Sequence, residues 1–166
     1  MIILGVDPGY AIVGIGVIEY VGGKFRPIEY NAITTHSSMS PSLRLKIIYE
    51  EIGMYLDKYN PDAFAIEELF FNSNQKTAIL VAQARGVLVA QAAVREVPIY
   101  EYTPLQIKQS ITGYGRADKQ QIQQMVKLML NLKAIPKPDD AADALAVAIC
   151  HANSSRANDI LGTNRV

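Results

Sequence analysis

Three strand-like runs crowd into the first 36 residues, joined by connections too short to carry a helix. Ile2-Ile3-Leu4-Gly5-Val6-Asp7 is a short apolar run; residues 14–21 and 25–36 follow, separated by the turn pair Gly22-Gly23. Parallel neighbours need a crossover of roughly a dozen residues or more, so these three runs are predicted to pair as an antiparallel meander.

The pattern then changes. Ser40-Pro41 supplies an N-cap and a first-turn proline, and Leu45, Ile48, Ile52, Tyr55, Leu56 and Tyr59 recur at helical spacing up to Asn60-Pro61. Residues 63–69 read as a buried strand, followed by the polar loop 70–75 and an alanine-rich helix over about 76–95. A strand at 97–102 and a short helix opening at Thr103-Pro104 come next, with a glycine-broken loop from Thr112 to Arg116. Ile122, Met125, Val126, Met129 and Leu130 mark an amphipathic helix, and a last helix is predicted from Asp139-Asp140 to about Ser154. These elements make an α/β domain: a mixed five-stranded sheet, three strands antiparallel and two parallel, flanked by helices. The domain is expected to span residues 1–155, leaving 156–166 as a polar tail. Such an architecture does not by itself name a function.

With 49% hydrophobic and 19% charged residues, the composition excludes a disordered chain, and no apolar run approaches the length of a membrane span. The N-terminal run reads as a strand and not as a cleavable leader. The single cysteine, Cys150, forms no internal disulfide, so a reducing cytoplasmic setting without membrane attachment is expected.

Carboxylates are costly in apolar surroundings, and four of them stand there. Asp7 ends the first strand, in Gly5-Val6-Asp7-Pro8-Gly9; Glu67 ends the strand Ala63-Phe64-Ala65-Ile66. Asp140 and Asp143 open the last helix, and Asp143 is enclosed by Ala141, Ala142, Ala144, Leu145 and Ala146. Taken singly, each has a structural explanation: a turn aspartate, a solvated strand end, acidic residues complementing a helix dipole. Taken together these explanations weaken. A spacing of three puts Asp140 and Asp143 on neighbouring points of one helix face, and the ends of two adjacent strands can face that helix end. Four converging like charges repel unless divalent cations neutralise them, and all-oxygen ligation suits Mg²⁺ or Mn²⁺ over zinc. The chemistry that uses such a site is in-line phosphodiester hydrolysis with two metals roughly 4 Å apart.

The net charge is zero, but it is unevenly spread. Residues 1–75 hold 5 basic and 9 acidic side chains, whereas residues 76–133 hold 8 basic and 3 acidic ones. An acidic cluster beside a basic region suits a metal-using enzyme on a phosphate substrate.

Five short motifs then stand in order: Asp7-Pro8-Gly9; Phe64-Ala65-Ile66-Glu67; Gln83-Ala84-Arg85-Gly86; Gly113-Tyr114-Gly115-Arg116-Ala117-Asp118-Lys119; and Asp140-Ala141-Ala142-Asp143-Ala144-Leu145-Ala146. In order and spacing they resemble the RuvC family of Holliday junction resolvases, over roughly residues 2–153. The resemblance implies an RNase H-like fold and a Mg²⁺-dependent endonuclease, with Mn²⁺ as substitute and two ions per site. It implies Asp7, Glu67, Asp140 and Asp143 as metal ligands and catalytic residues. The doublet Asp139-Asp140 offers two carboxylates; the spacing to Asp143 favours Asp140, leaving Asp139 free to cap the helix. Lys119, behind a glycine loop at a helix start, resembles the family's DNA-contacting lysine; Lys108 resembles a second, and Arg116 joins them as a DNA-binding position. Phe70 resembles the aromatic that stacks on an unpaired base at the junction centre, with Phe71 expected to be more buried. His36 and His151 lie outside the motifs and are read as structural.

Family membership further implies a homodimer that nicks two strands of a four-way DNA junction symmetrically, in recombination and repair, and a potential complex with a branch-migration motor. The helix after the Phe70 loop, with Ala78, Ala82, Ala84 and Gly86, is a candidate dimer face. Three competing readings are weaker. An RNase H-like nuclease acting on RNA or another branched substrate keeps the fold, but the last helix, the loop ending at Lys119 and the Phe70 position favour RuvC. An actin-like phosphotransferase needs two such domains, and 166 residues are too few. A non-catalytic nucleic-acid module would not need four intact carboxylates.

Overall fold

A computed structural model describes residues 1–69 and 75–161, with side chains described except at 75–77 and 156–161. Its strands are β1 (Ile2–Asp7), β2 (Ile12–Val21), β3 (Lys24–Thr34), β4 (Ala63–Glu67) and β5 (Ile99–Tyr102). Its helices are α1 (Pro41–Tyr59), α2 (Gln75–Val94), α3 (Pro104–Thr112), α4 (Lys119–Met129) and α5 (Asp139–Leu161). The strands form one sheet in the order β3-β2-β1-β4-β5. The meander β1-β2-β3 is antiparallel, while β1, β4 and β5 run parallel, each reached through a helical crossover. This is the mixed sheet that the sequence pattern predicts, in an RNase H-like arrangement.

Local chemistry accounts for the boundaries. Gly22 and Gly23 both take positive φ, 58° and 81°, which matches the two-residue turn between paired Val21 and Lys24. Ser40 caps α1 by accepting from Leu43 N at 3.3 Å, and Asn60 closes that helix in the left-handed region before Pro61. Thr103 with Gln106 and Asp118 with Gln121 form reciprocal capping boxes at the starts of α3 and α4. Strand β5 starts only at Ile99, because Pro98 has no N–H for the ladder; its carbonyl still accepts from Phe64 N at 2.8 Å. Helix α5 continues to Leu161, beyond the predicted end near Ser154.

The sheet's two faces differ in side-chain size. Leu4, Val6, Val13, Ile15, Val17, Phe64 and Ile66 point to one face and pack under α1 and α2. On the other face the alternate positions are small: Gly5 on β1, Gly14 and Gly16 on β2, Ala63 and Ala65 on β4. Helix α5, with α3 and α4 beside it, covers this second face. A Cβ at Gly5 would run into the Ala144 carbonyl, one at Gly14 into the Asp140 carbonyl, and one at Gly16 would lie 2.7 Å from Leu145 N. Helix backbone therefore rests directly on strand backbone, and α5 meets the sheet at one depth and one rotation. Asp7 and Glu67 are the next residues on this face of their strands, following the alternations Ile3-Gly5-Asp7 and Ala63-Ala65-Glu67.

Candidate active site

Asp7 and Glu67 end adjacent parallel strands whose last paired residues are Val6 and Ile66. Both side chains are half-buried on the α5 face. Asp143 reaches them from the second turn of α5, and the three carboxylates line one cleft of about 280 Å³. Lys108 from α3 and Lys119 from α4 line it too, and Ile107, Ile122 and Ala146 form apolar walls. Five separate segments of the chain thus converge, β1, β4, α3, α4 and α5, none placed there by its neighbours in sequence.

The electrostatics show the strain of that convergence. Burial, followed by the charges of Glu67, Asp143 and Asp140, pushes the Asp7 pKa up to about 8. Burial and the nearby Asp143 push Glu67 up to about 7, against the opposing pull of Lys108. Asp143 is also raised, chiefly by burial, although Lys119 Nζ lies 3.0 Å from its Oδ2 and draws it the other way. Burial works against the Lys119 ammonium, but the bond to Asp143 and the fields of Asp143, Asp139 and Asp140 outweigh it and hold the lysine more firmly charged. Lys119 therefore supplies part of the positive charge the carboxylates lack.

Asp140 does not line the cleft, yet its charge acts on both Asp7 and Asp143. The expectation for Asp139 is corrected. Helix α5 already begins at Asp139, so this carboxylate sits inside the first turn and not at the cap. It pairs instead with Lys137 Nζ at 2.6 Å, and with Lys119 at 3.8 Å. Arg116 is exposed on the loop before α4 and is not among the cleft's lining residues. Phe70 and Phe71 lie outside the described residues. His36 is exposed, with Nδ1 2.7 Å from Ser38 Oγ; His151 is buried, with Nδ1 2.8 Å from the Tyr102 hydroxyl. Neither histidine lines the cleft.

Among the described residues, no three Asp, Glu, His or Cys side chains already close around a point where an ion would sit. The donor set nonetheless fits a hard divalent cation: every donor is a carboxylate oxygen, and burial with mutual repulsion holds Asp7 and Glu67 far above the ordinary carboxylate range, which Lys119 and Lys108 offset only in part. Sequence reasoning missed the glycine bed under α5. Its signal was available in the alternation Gly14-Ile15-Gly16 opposite Gly5, facing an alanine-rich helix. One expectation about α2 also fails: Ala84 is fully buried in the chain's own core, whereas Ala82 and Gly86 are exposed.

Comparison with known proteins gives a consistent result. The profile of the family described as crossover junction endodeoxyribonuclease RuvC matches residues 3–151. The crossover junction endodeoxyribonuclease RuvC of Ruminiclostridium cellulolyticum is 60% identical over 165 residues, covering 99% of both chains. The RuvC structure from Thermus thermophilus superposes with a TM-score of 0.88 at 35% identity, covering 95% of this chain and 97% of that one. The T. thermophilus RuvC in complex with a Holliday junction substrate superposes with a TM-score of 0.91 at 34% identity, covering 95% and 96%.

Proposed function

The chain belongs to the RuvC family of crossover junction endodeoxyribonucleases, and on that premise we propose that Asp7, Glu67, Asp140 and Asp143 hold the divalent cations with which it cuts four-way DNA junctions. The activity is hydrolysis of phosphodiester bonds within DNA at the crossover, and divalent metal serves it. The observation that carries the residue assignment is the meeting of Asp7, Glu67 and Asp143 from three elements in one cleft flanked by Lys108 and Lys119.

Two Mg²⁺ ions, with Mn²⁺ as a substitute, would supply Lewis acidity to the scissile phosphate and to the oxygens that attack and leave it. The chain's own groups supply the rest. Asp7 and Glu67 stand on rigid strand ends, and α5 fixes the height of Asp140 and Asp143 through its seat on Gly5, Gly14 and Gly16. Lys119, exposed and bound to Asp143, is placed to exchange that partner for a backbone phosphate. Lys108, whose charge acts on Glu67, offers a second phosphate contact in the same cleft. Arg116 contacts the flanking backbone from the exposed loop, and Phe70 stacks on an unpaired base at the junction centre. The apolar walls limit water around the reacting phosphate, which strengthens each charge interaction there.

Paired, symmetric nicking follows from a homodimer whose two-fold axis matches that of the junction. Ile79, Ala82, Gly86 and Ala90 form an exposed stripe on α2 at helical spacing, which supports that face as the dimer contact. The protein is placed in the cytoplasm, working with a branch-migration motor in recombination and repair. Among the described residues, no helix is long and apolar enough to cross a membrane.

The test is a set of isosteric variants, Asp7→Asn, Glu67→Gln, Asp140→Asn and Asp143→Asn, each assayed for junction binding and junction cutting in Mg²⁺. Retained binding with cutting reduced at least 100-fold is expected for each. A variant that still cuts at the parent rate removes that carboxylate from the metal set.

A further inference from the structure

A second groove, of about 490 Å³, lies beside the catalytic cleft, and the function described so far does not use it. Its lining includes Thr112, Tyr114, Gln120, Gln121, Gln124 and Met125. Asp118 lines both the groove and the cleft, so the two adjoin across one residue, and the next residue is Lys119, the ammonium held on Asp143.

The groove differs from the cleft in chemistry. Among the described residues no lysine or arginine lines it, and the one carboxylate that does is engaged: Asp118 accepts from Gln121 N at 2.8 Å as the cap of α4. What remains is a set of neutral amides, a hydroxyl, a thioether and one aromatic ring. Such a lining offers a phosphate neutral donors but no cation. It suits a flat, neutral group with hydrogen-bonding edges.

Tyr114 is held as a platform for that group. It stands between two glycines that shape the loop: Gly113 is left-handed at φ +83°, and a Cβ on Gly115 would strike the Leu105 side chain. Its carbonyl lies 2.9 Å from Thr112 Oγ1. Its hydroxyl donates at 2.8 Å to Gln121 Oε1, which also accepts from Asp118 N at 3.0 Å. The side chain is thus fixed at backbone and tip, yet it is 48% exposed. A large aromatic held in place and left open to solvent is what base stacking requires, because every base has a π-face.

We propose that this groove is a nucleobase subsite, in which a base of the cut strand near the scissile phosphate stacks on Tyr114 and presents its edge to the amides of Gln120 and Gln124. A strand that sets a phosphate at Lys119 and continues past Asp118 enters the groove next. Glutamine amides pair with base edges, so the subsite contributes to base preference near the cut as well as to grip. The inference rests on the junction-cutting reading.

The experiment uses the full chain and a synthetic four-way junction carrying 2-aminopurine at successive positions flanking the cut. Wild type, Tyr114→Ala and Tyr114→Phe are compared in junction affinity at several salt concentrations, 2-aminopurine fluorescence and single-turnover cutting. Tyr114→Ala is expected to weaken productive engagement about tenfold, within the range for a lost base–aromatic stack. It should abolish the fluorescence change at one position and leave the salt slope unchanged, since no phosphate contact is lost. Tyr114→Phe, which keeps the ring, should restore most of the loss. Three outcomes overturn the subsite while junction cutting by the wild type stands: unchanged cutting and fluorescence in Tyr114→Ala, a salt slope reduced by about one, or a Phe variant as impaired as the Ala variant. A wild type that leaves the junction uncut overturns the parent reading and the subsite with it.

Discussion

Replacing Asp7 by asparagine removes the most strongly perturbed charge of the cleft while keeping the side chain's shape. Burial first, then Glu67, Asp143 and Asp140, raises the Asp7 pKa from 3.8 to about 8. A carboxyl whose folded pKa is raised holds its proton more tightly in the folded chain than in the unfolded one. Stability is therefore lost as pH climbs from about 4 to about 8, and the loss persists above that. At about 1.4 kcal/mol per pH unit, a rise of this size sets an upper limit of about 6 kcal/mol. Relaxation of neighbouring side chains and water in the open cleft bring the expected cost to about 2 kcal/mol. In a domain of this size each kcal/mol moves Tm by roughly 2–4 °C, so Asp7→Asn should raise Tm by about 4–8 °C at pH 8 in EDTA. The gap should close as pH falls toward about 4, where Asp7 is protonated in both states. Added Mg²⁺ should raise the Tm of the wild type more than that of the variant. Scanning calorimetry across pH, with EDTA and with Mg²⁺, reads all three. A variant that melts at or below the wild type in EDTA at pH 8, or a gap that ignores pH, would refute an unrelieved negative cluster at Asp7.

Gly5→Ala should cost about 1–3 kcal/mol in denaturant unfolding and reduce cutting, because its Cβ meets the Ala144 carbonyl and lifts α5 off the sheet. Unchanged cutting would mean that the height of α5 does not set the carboxylate geometry. Lys119→Gln should flatten the salt dependence of junction binding by about one unit of slope and lower cutting; an unchanged slope would remove Lys119 from the phosphate contacts. Phe70→Ala should impair cutting more than gross affinity, measured by single-turnover cleavage against equilibrium binding. Equal effects on both would assign Phe70 to general binding and not to stacking at the centre.

The sheet was legible because its signals are local: short connections force the meander, Gly22-Gly23 sets its turn, and capping residues mark α1, α3 and α4. Asp7, Glu67 and Asp143 were legible because a carboxylate amid apolar neighbours is conspicuous in one dimension. The seat of α5 was not, since a glycine in a strand signals weak propensity before it signals close approach. Asp139 was misassigned for a related reason: acidic residues at a helix start suggest a cap, while the reach of Lys137 and Lys119 depends on how two other segments come together. The placement of Ala84 on an outer face could have been avoided from the sequence. A step of two residues turns a helix by about 200°, so Ala82 and Ala84 cannot share a face. The carboxylate cleft needed both kinds of information, residue identity from the sequence and convergence from the fold.

The most direct measurement is cleavage of a synthetic four-way junction against a matched linear duplex, each with Mg²⁺ and with EDTA, with the cut positions mapped on all strands. Paired nicks at symmetric positions, confined to the junction and abolished by EDTA, are the expected result. Cutting of the linear duplex at a comparable rate, or cutting that survives EDTA, would contradict a junction-selective, metal-dependent nuclease centred on Asp7, Glu67, Asp140 and Asp143.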